Sequence, residues 1–78
     1  MPDREIYNER FRTDRGKTFF FDVKENVSGR FVKITESISL GGERYKRNFI
    51  TVSEESLGEF ITLAQKVVEI IKSHRENK

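Results

Sequence analysis

Between Lys17 and Ile34 the sequence KTFFFDVKENVSGRFVKI sets phenylalanine rings an even number of residues away from lysines, on either side of a short polar break. In an extended chain, residues at that interval share one face. Phe20 and Lys24 lie on one parity before the break, and Phe31 and Lys33 on one parity after it. Farther on, Tyr45, Arg47 and Phe49 repeat the mixture of rings and cations. The chemistry available to such a face is stacking and charge pairing. A base laid on an aromatic side chain gains roughly 1–3 kcal/mol, and Lys or Arg beside it tracks the phosphates. The same pattern also suits plain sheet packing or a docking site for a partner protein, because aromatics favour strands and pair across them. A β-bulge would reverse the parity and turn the rings inward.

Reactive chemistry has little to work with. There is no cysteine, one histidine (His74), and no glycine loop that would cradle phosphate. Asp22 and Glu25 fall on opposite faces of one strand and make a poor acid–base pair. The expectation is a protein that is not an enzyme, with no cofactor, no metal and no small-molecule substrate.

The elements that must position the rings follow from periodicity and turn chemistry. Glu5 to Thr13 alternates weakly and suits a strand, after a frayed start at Met1 to Arg4. Asp14-Arg15-Gly16 supplies a turn. Strands are expected at about Lys17 to Glu25, Arg30 to Leu40 and Arg44 to Val52, with turns at Asn26-Val27-Ser28-Gly29 and Gly41-Gly42. Short links imply an antiparallel meander. Ser53 is placed to cap a helix that opens on Glu54 and Glu55, where the helix dipole favours anions. Leu57, Phe60, Ile61, Ala64, Val67, Val68 and Ile71 recur at helical spacing, and Lys72, His74 and Arg75 supply cations near the end. The fold class is therefore α+β, a four-stranded antiparallel sheet at about 5–52 followed by one helix at about 53–75.

With these parities, Phe19, Phe21, Val23, Val32, Ile34, Ile50 and Val52 are expected to face the helix. The helix stripe itself spans roughly 120°, and Leu63 with Ile70 widens it to nearly half the circumference. A lone four-stranded sheet leaves part of that arc wet, so a second copy of the chain is expected there, with Leu63, Val67, Ile70 and Ile71 at the interface. Exposed leucine and isoleucine on a monomer is the alternative.

Net charge is +2. Residues 1–53 carry 11 Lys or Arg against 8 Asp or Glu, and residues 54–78 carry 4 against 5, so the excess of cations sits with the strands. No apolar run is long enough to span a membrane, residues 1–15 are charged rather than signal-like, and cysteine is absent. A soluble cytoplasmic protein is the expectation.

The run FFFDVKENVSGRFVKITES resembles the PUR repeat of the Pur-alpha family of single-stranded DNA- and RNA-binding proteins. The resemblance extends from Ile6–Arg12, like the family's first strand, through the F-D-V-K-E-N-x-x-G-R-F core to a helix containing Glu59-Phe60. It implies a ββββα repeat with a Whirly-like fold, residues 1–78 forming one repeat and two copies intertwining as a homodimer, as in a bacterial single-repeat member. It further implies that Lys24 and Asn26 contact nucleic acid and that Phe31, with Arg30 adjacent, stacks on a base and helps open duplex. Purine-rich, G-containing strands are the implied ligands. Ser28 stands where several relatives carry a basic residue. The expected binding set is thus Lys24, Asn26, Arg30, Phe31, Lys33, Phe20, Arg47 and Phe49, while Arg10, Arg12, Arg15, Lys17, Arg44, Lys46 and Arg47 itself either extend a basic track or merely protect strand edges. The competing expectation is a dimeric protein-interaction module without nucleic-acid activity.

Overall fold

The computed structural model describes residues 3–76. Four strands, β1 (Arg4–Arg12), β2 (Lys17–Asn26), β3 (Gly29–Ser39) and β4 (Tyr45–Ser53), form one antiparallel sheet in chain order. A 3₁₀ turn, Glu54–Ser56, then leads into a single helix, α1 (Leu57–Glu76). Arg4 opens β1 opposite Glu25, so the regular chain begins earlier than a frayed start to Arg4 would allow, while Met1 and Pro2 lie outside the described residues.

The turns form where local chemistry favours them. Asn26 Oδ1 accepts the Ser28 N–H at 2.9 Å, closing the β2–β3 hairpin, and Gly29 takes the positive φ of 129° that follows. Gly41 and Gly42, both at positive φ, turn β3 into β4. The β1–β2 ladder shifts by one residue between Glu5 and Tyr7, so Ile6 is bulged out of register. That irregularity stays at the end of β1 and leaves the parity of β2, β3 and β4 unbroken.

Residues directly opposite one another share a face, so the register fixes two faces. On one face, Tyr7, Val23, Val32 and Val52 form a row across the four strands, beside the row Glu9, Phe21, Ile34 and Ile50 and the row Phe11, Phe19, Glu36 and Asn48. Phe11 packs on Phe19 and Phe21, with centroids 5.2 and 6.2 Å apart. This apolar face contains the only buried hydrophobic side chains among the described residues, Val32 and Val52 at 7% and 8% exposure.

The helix does not cover that face. α1 packs along no strand and runs on from the sheet beyond the 3₁₀ turn that introduces it. The expectation that the apolar row faces the chain's own helix is therefore corrected. Periodicity says which side of a helix is apolar and leaves open what lies over it. Phe60, Ile61, Leu63, Val67, Val68, Ile70 and Ile71 are all exposed. The molecule measures 53 × 38 × 16 Å with a radius of gyration of 15.7 Å, where a compact chain of this length has about 11.5 Å. Its accessible surface is 6959 Å². A compact monomer of this mass exposes about 4,900 Å², so roughly 2,000 Å² is left over.

The helix start also departs from expectation. Ser53 is extended and makes no side-chain bond to a backbone N–H. Its hydroxyl instead lies 3.4 Å from that of Ser56. The tight first turn takes up the role given to the cap, with Glu54 and Glu55 in it and His74 and Arg75 in the last turn of α1. No helix among the described residues is long and apolar enough to cross a membrane.

Candidate nucleic-acid interface

The second face of the sheet presents the rings and cations together. Its rows run Glu5, Lys24, Phe31, Ser53, then Asn8, Asp22, Lys33, Thr51, then Arg10, Phe20, Thr35, Phe49, then Arg12, Thr18, Ser37, Arg47, and it ends on Ser39 with Tyr45. Lys24 stands directly opposite Phe31, the pairing that places a charge and a ring at the hairpin end. Lys33 Nζ lies 4.4 Å from the centroid of Phe49, and the Arg10 guanidinium 5.9 Å from that of Phe20. At those distances each cation is held over a π face. Phe49 and Tyr45 are both 61% exposed, while Phe20 and Phe31 are half-buried with an accessible side.

Three adjoining depressions follow the face from end to end. Lys24, Asn26, Phe31, Lys33 and Phe49 line the first, together with Asp3 and Thr51. Arg10, Phe20, Lys33, Arg47 and Phe49 line the second with Asp22 and Thr35. The third lies around Arg12 and Arg47. Seven of the eight expected residues, Lys24, Asn26, Phe31, Lys33, Phe20, Arg47 and Phe49, thus belong to one continuous surface.

Arg30 does not. It stands opposite Glu25 on the apolar side, with its Nε 3.5 Å from Glu54 Oε1. Consecutive residues of a strand point to opposite faces, so adjacency to Phe31 in sequence is what separates Arg30 from it in space. Of the wider basic track, Arg10, Arg12 and Arg47 share the ring-bearing face. Lys17 and Lys46 stand opposite each other's neighbour Ile38 on the apolar side, and Arg15 and Arg44 sit in turns. Asn26 keeps its turn role, and its Nδ2 donates to Asp3 Oδ1 at 3.3 Å. Thr18, Thr35 and Thr51, whose parity already set them on this side, and Ser37 add hydroxyls among the rings, although none of the four belongs to the expected binding set.

Electrostatics divides the two faces. All three ion pairs among the described residues, Arg4–Glu25 at 2.7 Å, Lys17–Glu36 at 2.8 Å and Arg30–Glu54 at 3.5 Å, join groups at the two ends of the apolar side. The hydrogen bond from Lys17 holds the Glu36 carboxyl below the usual carboxylate range. On the same side the hydrogen bond to Glu9 pushes the Tyr7 hydroxyl up. The strands of the ring-bearing face carry five cations, Arg10, Arg12, Lys24, Lys33 and Arg47, against two carboxylates, Glu5 and Asp22, and no described carboxylate lies within ion-pair distance of any of the five. Uncommitted cations interleaved with accessible rings can accept an extended polyanion that carries π faces. Among the described residues no cluster of acidic, histidine or cysteine side chains is arranged to hold a metal.

Neither a family model nor a curated protein matches the chain.

Proposed function

We propose that the chain is a PUR-type single-stranded DNA- or RNA-binding protein that works as a homodimer, each subunit offering the ring-bearing face to the strand. The observation that carries the reading is the division of charge: of the strand cations on the apolar side, Arg4, Lys17 and Arg30 are paired with carboxylates and only Lys46 is not, whereas none of the five between the rings is paired with a described carboxylate, which leaves them to meet phosphates. Bases stack on Phe31, Phe49 and Phe20 while Lys24, Lys33 and Arg47 track the backbone. Stacking tolerates many sequences, and the preference for purine-rich strands rests on the resemblance of the K-E-N-x-x-G-R-F core to the PUR repeat.

The dimer is supported by what one chain leaves uncovered. The excess surface of roughly 2,000 Å² per subunit is of the size that obligate homodimers bury. The two exposed apolar surfaces, the Val32–Val52 side of the sheet and the stripe of α1 with Leu63, Val67, Ile70 and Ile71, are what two intertwined copies would bring together.

Fluorescence anisotropy with a labelled purine-rich single strand at two salt concentrations tests the function. Binding is expected to weaken with salt, with a slope of about 0.7 per phosphate neutralised. It is expected to fall in both Phe31→Ala and Lys24→Glu. Undiminished binding in both variants would reject this face as the site. No binding by the unaltered protein would leave the face to a protein partner.

A further inference from the structure

At the end of the ring-bearing face far from the Asn26 turn, Arg12, Thr18, Ser37 and Arg47 form one row across all four strands, with Ser39 and Tyr45 in the row beyond. They line a depression of about 460 Å³. It differs from the other two on this face in having no carboxylate in its wall, since the hairpin end includes Asp3 and the middle includes Asp22. Ser37 marks its floor. It is the only buried polar side chain among the described residues, at 6% exposure, although it stands on the ring-bearing side with no element packed over it. A short hydroxyl is sunk between longer neighbours, with Thr18 beside it and an arginine at each end of the row.

The shape and chemistry suit one kind of ligand group. Arg12 and Arg47 are three inter-strand spacings apart, about 14 Å, so both side chains can lean toward a point between them. Neither is engaged by a carboxylate among the described residues. A guanidinium is planar and always charged, and its fork of N–H donors matches phosphate oxygens two at a time. The Thr18, Ser37 and Ser39 hydroxyls add neutral donors below. Exposed Tyr45 stands at the rim, where its ring can carry the base next to the phosphate.

We propose that this well is a phosphate-binding subsite, which holds one phosphate of a nucleic-acid strand between the Arg12 and Arg47 guanidinia. The inference rests on the nucleic-acid reading of the face. It adds a second fixed point to that reading, since Phe31 and Ser37 are six residues apart on β3, about 20 Å. A strand is then gripped by stacking at the hairpin end and by forked hydrogen bonds at the other.

The test is anisotropy with a twelve-nucleotide purine-rich strand, bearing either hydroxyl ends or a terminal phosphate, against the double variants R12A/R47A and R12K/R47K, with F31A alongside. Circular dichroism and sedimentation check that each variant keeps the native fold and assembly. The alanine pair is expected to weaken binding at least tenfold, since hydrogen bonds to charged groups are lost, and to lower the salt slope by about 0.7. The lysine pair keeps charge without the fork, so affinity is expected to fall while the slope stays. An equal loss on both strands assigns an internal phosphodiester to the well, and a loss confined to the phosphorylated strand assigns a terminal phosphate. Both support the subsite. If both double variants bind like the unaltered protein while F31A binds weakly, the subsite is overturned and the stacking face stands. If the unaltered protein binds neither strand, the nucleic-acid reading fails and the subsite with it.

Discussion

The two faces of this sheet are built from similar numbers of rings and charges, and they use them in opposite ways. On the apolar side Phe11 packs on Phe19 and Phe21, and all but Lys46 of the strand cations there are paired with carboxylates. On the other side Phe20, Phe31, Phe49 and Tyr45 stand apart across the strands, each with charged or hydroxyl neighbours, and its cations have no carboxylate partner among the described residues. Rings that touch rings serve cohesion. Rings kept apart by unneutralised cations are available to a ligand that supplies both π surface and negative charge. Composition alone does not distinguish the two arrangements, and the register does.

The largest effects are expected where the comparison is broken on the apolar side. Val52→Asp places a carboxylate on one of the two buried apolar side chains and is expected to cost about 3 kcal/mol or more, read as a lost or lowered thermal transition. Ile71→Asp on the exposed helix stripe is expected to shift the assembly toward monomer in sedimentation equilibrium, and a folded wild-type monomer at micromolar concentration would contradict the proposed homodimer. On the other face, Phe31→Ala is expected to leave folding intact and to weaken single-strand binding by about 1–3 kcal/mol, roughly five- to 150-fold in titration. Lys33→Ala should cost about 0.5–1 kcal/mol of stability through the lost contact over Phe49, and should weaken single-strand binding less than Phe31→Ala does, with a salt slope reduced by about 0.7.

The smallest effect concerns the Lys17–Glu36 pair. Because the Glu36 carboxyl is held below its ordinary range in the folded chain, its contribution to stability is present at neutral pH and disappears as pH falls through that lowered value. Lys17→Ala removes the cause. Melting curves taken from neutral pH downward should show slightly lower stability at neutral pH and a flatter response to acid, with single-strand binding unaffected, because the pair lies on the apolar side.

Much of this arrangement was legible in the residues. Alternation in Lys17–Glu25 and in Arg30–Leu40 located β2 and β3 to within a residue at each end, and Asn26 and Gly29 located the hairpin, since each has a local physical reason to be there. The parity of Phe20, Phe31, Lys33, Arg47 and Phe49 was equally readable, because a strand has only two sides. What the sequence did not show depends on tertiary placement. The apolar stripe of α1 was evident, but whether it covers its own sheet was not, and here it does not. Arg30 was grouped with Phe31 because the two are neighbours along the chain, a relation that a strand turns into separation. Parity sets Ser37 on the ring-bearing side, but its burial gave no signal, for a serine's burial depends on the length of the side chains that surround it.

The central claim is that nucleobases meet the ring-bearing face and leave the valine-lined face untouched. Its most direct test is a titration of the protein with a purine-rich single strand, followed by NMR at the aromatic signals of Phe20, Phe31 and Phe49 and the methyl signals of Val23, Val32 and Val52. The account predicts that the ring signals shift as bases stack while the valine methyls stay in place. Shifts concentrated in the valine methyls, with the three rings unmoved, would contradict it.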